Sequence, residues 1–253
     1  MRMRNDVLAG LTGLALAAVA LAGGGAIEST FDADTEGWGT LNDATNFTWT
    51  GALGNPAGAI RATDQTGAGW WFFSAPEAYL GDKSSFVGAE LSWDIYGING
   101  NQATTNRADI MLIGTDVEIG INLPVEPESG EWTSWSVIID STADWRLVTS
   151  QFNGTLSTTP ATQADIEAVL ADLQAMHIRG EYTVGNDASA IDNVRLTPPP
   201  CGDVTDDGNV DLADLNLVLA MFGMDTPDGD ANGDGTVDLA DLNLVLSQFG
   251  GNC

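Results

Sequence analysis

Two rhythms of apolar residues run along this chain, and they change over at a cluster of prolines. In the first part, apolar positions come in short runs punctuated by Gly, Asn and Ser, as in "AELSWDIYGI" (89–98) and "WSVIID" (135–140). Such runs predict strands. "RADIMLIGTDVEIGINL" (107–123) predicts two more around a Gly-Thr-Asp turn. One stretch breaks the rhythm: "ATQADIEAVLADLQ" sets Ile166, Val169, Leu170 and Leu173 at i, i+3, i+4 and i+7, an amphipathic helix entered just after Pro160. Mostly strands with one helix predicts an antiparallel β-sandwich or jelly roll. In "GWWFFSAP" (69–76), a strand would turn Trp70 and Phe72 one way and Trp71 and Phe73 the other. One pair then fills the core. The other is a candidate platform for sugar rings, unless the helix or a loop covers it.

Past residue 200 the helical rhythm appears twice. "DLADLNLVL" stands at 211–219 and again at 238–246, 27 residues later. Leu215, Val218, Leu219 and Phe222 form one apolar stripe, ended by Gly223; Leu242, Val245, Leu246 and Phe249 form the other, ended by Gly250. Two helices that pack through these stripes are expected.

"TPPP" at 197–200 separates the two rhythms, and three prolines favour a short, stiff spacer. All eight tryptophans and every Lys and Arg precede it; eleven aspartates and no basic residue follow it. The chain thus divides into a body, 27–196, and a tail, 201–253. Ahead of both, "MRMRN" and the apolar run "VLAGLTGLALAAVALAG" read as an export signal over 1–26, with cleavage near Ala22 or Ala26. A secreted or cell-surface protein is expected, with no stable membrane insertion once the signal is gone. The two cysteines, Cys201 and Cys253, bracket the tail. In an exported protein a disulfide is the default, and a loop of that length would contribute about 4 kcal/mol.

Charge narrows the partners. With 36 Asp+Glu against 8 Lys+Arg the formal net charge is −28, which opposes nucleic acid and anionic lipid and favours cations. The tail places that charge in a pattern. Calcium takes six to eight oxygens, and a twelve-residue loop supplies them from positions 1, 3, 5, 7, 9 and 12, with Gly at 6. "DANGDGTVDLAD" (230–241) offers Asp230, Asn232, Asp234, the Thr236 carbonyl, Asp238 through water, and Asp241, around Gly235. "DVTDDGNVDLAD" (203–214) offers Asp203, Thr205, Asp207, Asn209, Asp211 and Asp214 around Gly208. Thr205 replaces the usual Asn or Asp, so the first loop should bind more weakly. Two Ca²⁺ ions are expected, one per loop, each followed by an exiting helix and preceded by none.

Catalytic chemistry lacks parts. His177 is the one histidine, in a strand-like stretch, and reads as structural. A His-based metal site, a Cys–His pair and a G-x-S-x-G serine are all missing from the sequence. Carboxylate pairs suited to a glycosidase occur by chance in so acidic a chain.

Two resemblances follow from these residues. "FDADTEGW" (31–38), "APEAYLGDKSSFVGAELSWDI" (75–95) and "IEAVLADLQAMHIRGEYTVGNDASAIDNVRL" (166–196) together resemble the laminin IV type A (laminin B) domain. That resemblance implies a galactose-binding-like β-sandwich, extracellular and non-catalytic. By analogy with related jelly rolls, Asp32, Asp34 and Asp192 are candidates for one structural calcium in the body. The duplicated loop and helix with terminal cysteines resembles a type I dockerin over 201–253. It implies a small all-α calcium-binding domain that docks to a cohesin module. In that family loop positions 10 and 11 help choose the partner; here they are Leu212-Ala213 and Leu239-Ala240. Ala220 and Ser247 stand where cellulosomal dockerins often carry a basic residue.

Together these features predict a secreted, non-catalytic protein that docks to a cohesin-type partner and displays a laminin-like sandwich, in polysaccharide degradation or adhesion. The alternative is an accessory module that binds extracellular glycan. A glycoside hydrolase comes third.

Overall fold

The computed structural model describes residues 25–64, 69–99, 107–182 and 187–251. The segment expected to be a signal, and Cys253, therefore lie almost wholly outside the described residues. Among the described residues, no helix is long and apolar enough to cross a membrane.

Two antiparallel sheets face each other. The first runs β3 (Ala44–Thr50), β4 (Ala59–Asp64), β13 (Ala188–Thr197), β6 (Glu90–Asn99), β9 (Trp132–Ile138), with β1 (Ile27–Ser29) also on β13. The second runs β11 (Thr155–Pro160), β10 (Arg146–Ser150), β8 (Glu118–Ile121), β7 (Ile110–Gly114), β12 (Leu173–Arg179), β5 (Phe72–Ser74), β2 (Gly39–Leu41). This is the mainly β sandwich predicted from the apolar runs. β7 and β8 pair around the expected turn, Ile110 opposite Ile121.

Strand alternation builds the core. On β6, Leu91, Trp93 and Ile95 point inward and are buried, while Ser92, Asp94 and Tyr96 line the outer face. Trp71, Phe73, Trp93, Trp135 and Trp145 anchor the apolar layer between the sheets. Phe72 points the other way, into a smaller cluster with Met111, Ile113 and Leu156 outside the second sheet.

The predicted helix is α1 (Gln163–Ala171). Thr162 caps it: its hydroxyl accepts the Asp165 N–H, and the Asp165 carboxylate accepts the Thr162 N–H in return. Ile166, Val169 and Leu170 are its buried face. Leu173, expected as the fourth member of the stripe, instead opens β12. It is buried either way, so periodicity alone could not separate a last helical turn from the first strand residue.

Beyond β13 and the prolines come α2 (Leu212–Met221) and α3 (Leu239–Ser247), each with a capping box at its first turn. Val210, Val218, Ala231, Val237 and Val245 form their own apolar cluster. The packing corrects the predicted stripes. Val218 and Val245 are buried and Leu215 and Leu242 half-buried, but Leu219, Leu246, Phe222 and Phe249 are exposed. A core this thin closes over one residue per helix, and the rest of each stripe faces outward.

Candidate functional site

The tail loops are wound from backbone N–H groups onto carboxylates. Asp203 accepts the N–H groups of Asp207 and Gly208, at 3.1 and 2.7 Å. Asp230, its counterpart, accepts those of Asp234 and Gly235, at 3.2 and 2.8 Å. The turn needs Gly at position 6: φ is +87° at Gly208 and +93° at Gly235, where a side chain would be strained. The closing carboxylates Asp214 and Asp241 are fully buried. Burial pushes both up, but backbone N–H donors outweigh it and hold both below the usual carboxylate range. Asp211 and Asp238 cap α2 and α3, each accepting an Ala N–H at 2.7 Å.

The first loop departs where the sequence departs. Thr205 donates its hydroxyl to Asp214 at 2.9 Å, whereas Asn232 donates its side-chain amide to Asp234 at 3.0 Å. Asp207, Asn209, Asp234 and Thr236 stand on the exposed rims. The donors are oxygens throughout, as calcium requires. Among the described residues, though, no three acidic, His or Cys side chains converge as metal ligands.

Each half of the tail closes on the other. Val210 of the first loop exchanges backbone hydrogen bonds with Gly250 and Gly251 past α3. Val237 of the second does the same with Gly223 and Met224 past α2. These two bridges are 27 residues apart at both ends, so the sequence repeat is a spatial twofold. Exposure follows the twofold: 63% for both Leu212 and Leu239, 52% for both Leu219 and Leu246, and 45% and 46% for Phe222 and Phe249. Ala213 and Ala240 are exposed beside the first pair.

On the sandwich, the residues expected to offer aromatic platforms are mostly core. Trp71, Phe72 and Phe73 are buried, because the two faces of β5 pack into the two apolar clusters. Trp70 is half-buried under two cations: the Arg179 guanidinium lies 4.5 Å from its ring and that of Arg107 5.2 Å. Arg179 also stacks on Tyr182 at 4.2 Å and meets Asp109 at 3.3 Å. Burial pushes the Asp109 carboxyl up to about 6, against the pull of Arg179. Two residues past Arg179, Glu181 is pushed up to about 8, by burial first and then by Asp187, Asp64 and Asp43. Raised carboxyls can mark catalytic sites. These are sealed from solvent, at 1% exposure for Asp109 and 4% for Glu181, and act as internal fastenings. His177 is buried as expected, and burial holds its imidazole down to about 4, uncharged at neutral pH.

A different aromatic pair faces outward. Tyr96 and Trp132 sit opposite each other on β6 and β9, both half-buried, with ring centroids 5.3 Å apart and planes tilted 51°. The next rung pairs Asp94 with Ser134. Asp94 accepts from the Ser134 hydroxyl and from the side-chain amides of Asn55 and Asn193. Beside this network Ser92, Arg195 and Glu28 help enclose a cavity of about 290 Å³. The two strands were legible in "AELSWDIYGI" and "WSVIID", but the start of the second at Trp132 and the pairing of the two were not.

Of the three aspartates expected around a body calcium, Asp192 is fully buried and accepts the Asn55 N–H at 2.6 Å. Burial raises its carboxyl to about 6, with Asp94 and Asp32 adding to the effect. Asp34 instead accepts the Glu36 N–H in a local turn. Asp94 is the neighbour the sequence did not single out. Cys201 is not a free thiol, and its expected partner Cys253 lies outside the described residues.

The laminin B (domain IV) family model matches residues 72–198. No curated protein matches the sequence. Among solved structures, the L4b domain of human laminin alpha-2 has a TM-score of 0.50 at 16% identity, covering 68% of this chain and 97% of that one. The family 11 carbohydrate-binding module of a cellulosomal cellulase of Clostridium thermocellum has a TM-score of 0.44 at 13% identity, covering 69% of this chain and 95% of that one. An exo-beta-agarase gives 0.44 at 15% identity, with 72% of this chain against 27% of the enzyme.

Proposed function

The chain belongs to the laminin B (domain IV) family, and on that premise we propose a non-catalytic, extracellular attachment protein whose sandwich holds a glycan. The half-buried pair Tyr96 and Trp132 on an outer sheet face supports this. An aromatic ring offers a sugar an apolar surface, and the polar side chains of the next rung offer hydrogen bonds to its hydroxyls. Electrophoresis of the full chain through native gels containing soluble polysaccharides tests it. Retardation by at least one glycan is expected; unchanged mobility in all of them rejects the proposal. No turnover of those glycans is expected.

A second attachment, by the tail, has its own support in the matched exposures of Leu212 and Leu239, Leu219 and Leu246, and Phe222 and Phe249. Apolar residues left out of a core in symmetric pairs suit a protein-binding surface. In this proposal the tail is a dockerin-like domain over 201–253, set off by the 197–200 spacer and closed by Cys201 and Cys253. Asp203, Thr205, Asp207, Asn209, Asp211 and Asp214, and Asp230, Asn232, Asp234, Thr236, Asp238 and Asp241, hold two Ca²⁺, whose charge offsets the repulsion among the loop carboxylates. The partner is a cohesin-type module. Surface plasmon resonance of the full chain over immobilised type I cohesins tests this. Binding in calcium that vanishes in EDTA is expected; no binding to any cohesin in calcium rejects it.

A further inference from the structure

We infer that the saccharide site is the outer face of β6, β9 and β13, and that its ligand is a neutral glycan spanning at least two sugar rings. This rests on the glycan reading above and gives it a place. Three observations carry it.

First, the aromatic pair and the cavity are neighbouring rungs of one sheet face. Tyr96 opposes Trp132, and Asp94 opposes Ser134, two residues along each strand. Two residues of strand span about 6.8 Å. A sugar ring against the tilted pair therefore leaves the next ring over the cavity bounded by Ser92, Ser134, Asn193 and Arg195.

Second, the polar floor is held in place. Both oxygens of Asp94 are engaged, one by Ser134 and the other by Asn55 and Asn193. A carboxylate so occupied orients its neighbours and does not itself need a cation. Ser134 donates its hydroxyl to Asp94, so its oxygen is left to accept from a ligand hydroxyl. Ser92 can both donate and accept.

Third, charge selects the glycan class. Arg195 is the cation at the cavity, and Glu28 stands 3.9 Å from it. With −28 on the whole chain, a uronate or sulfated sugar meets long-range repulsion, and Glu28 offsets the cation at the cavity. Hydroxyls meet hydroxyl, carboxylate and amide groups. A neutral polysaccharide fits this surface; an acidic one does not.

The experiment uses the full chain in affinity gels containing mixed-linkage β-glucan, arabinoxylan, galactomannan or agarose, with alginate as the acidic arm. Retardation by at least one neutral glycan and none by alginate is expected. Trp132→Ala and Ser92→Gln, with circular dichroism matching the parent, should each weaken retardation about tenfold or more. Ser92→Gln fills the cavity without removing core, so it remains informative if Trp132→Ala folds poorly. Phe152→Ala, at an exposed apolar residue outside the two strands that carry the pair, should leave retardation unchanged. Retardation that survives both site variants overturns this placement while leaving the glycan reading intact. Retardation by alginate alone overturns the neutral class. No retardation by any glycan overturns the placement and the reading together.

Discussion

The indole N–H of Trp71 donates to the Asp187 carboxylate at 3.0 Å, across 116 residues of chain. Both groups are buried, and Asp187 also accepts the Tyr182 N–H at 2.7 Å. It thus ties β5 to the segment that leads into β13. Asp187→Ala leaves a buried indole donor and a buried amide without that acceptor. The expected loss is about 2–4 kcal/mol, from two buried donors at about 1–3 each with partial relief by water. Urea unfolding followed by tryptophan fluorescence measures it.

Arg179 holds a denser knot, between the rings of Trp70 and Tyr182 and against Asp109. Breaking a buried ion pair from one side leaves an uncompensated charge, at about 3–5 kcal/mol. Arg179→Met should therefore destabilise the sandwich by that order, and Asp109→Asn combined with it should recover part of the loss. A double-mutant cycle in denaturant checks the recovery.

The raised carboxyls set a pH dependence. Glu181 in the fold binds its proton up to about 8, against an ordinary 4.5, and Asp109 up to about 6, against 3.8. In those windows the folded state holds more protons than the unfolded one, so stability falls as pH rises. The sandwich should melt at a higher temperature at pH 5 than at pH 8. Glu181→Gln should flatten that slope above pH 6. Scanning calorimetry across the range reads both.

Calcium removal should separate the two halves of the molecule. In EDTA the tail transition is expected to disappear while the sandwich transition stays. Two unchanged calorimetric transitions would reject the calcium loops.

Symmetry in the tail predicts redundancy. If either half can present the docking face, Leu212→Asp alone and Leu239→Asp alone should each keep most of the affinity for a cohesin, and the pair together should lose it. Loss from one single change would show that only one face binds.

How much of this was legible beforehand varies by element for physical reasons. The β7–β8 hairpin, α1 and the two tail helices are written in local periodicity and form there, although α1 ends before Leu173 and the tail helices before Phe222 and Phe249. The outward pair Tyr96–Trp132 depends on which strands become neighbours, and β6 and β9 meet across more than thirty residues. Local patterning carries no record of that pairing. Burial of Trp71, Phe72 and Phe73 was half-legible: alternation gave two faces, but only the tertiary fold shows apolar packing on both. The exposed Leu219 and Phe222 show the reverse case, a helical stripe wider than the core available to it. Glu181 and Asp187 had no signal at all, since their value lies in contacts with Trp71 more than a hundred residues earlier.

β13 runs directly into the prolines and the tail, and along its length it is flanked by β6 on one edge and by β4 and then β1 on the other. If the tail is fastened and the sandwich grips a polymer, tension enters the protein along this strand. The pull is then parallel to the strand and spread over hydrogen bonds on both its edges, which must yield together. A strand at the rim, peeled from one end, would release them singly. The order of the strands thus makes the sandwich a mechanical coupling, strongest along the line in which two anchored ends would load it.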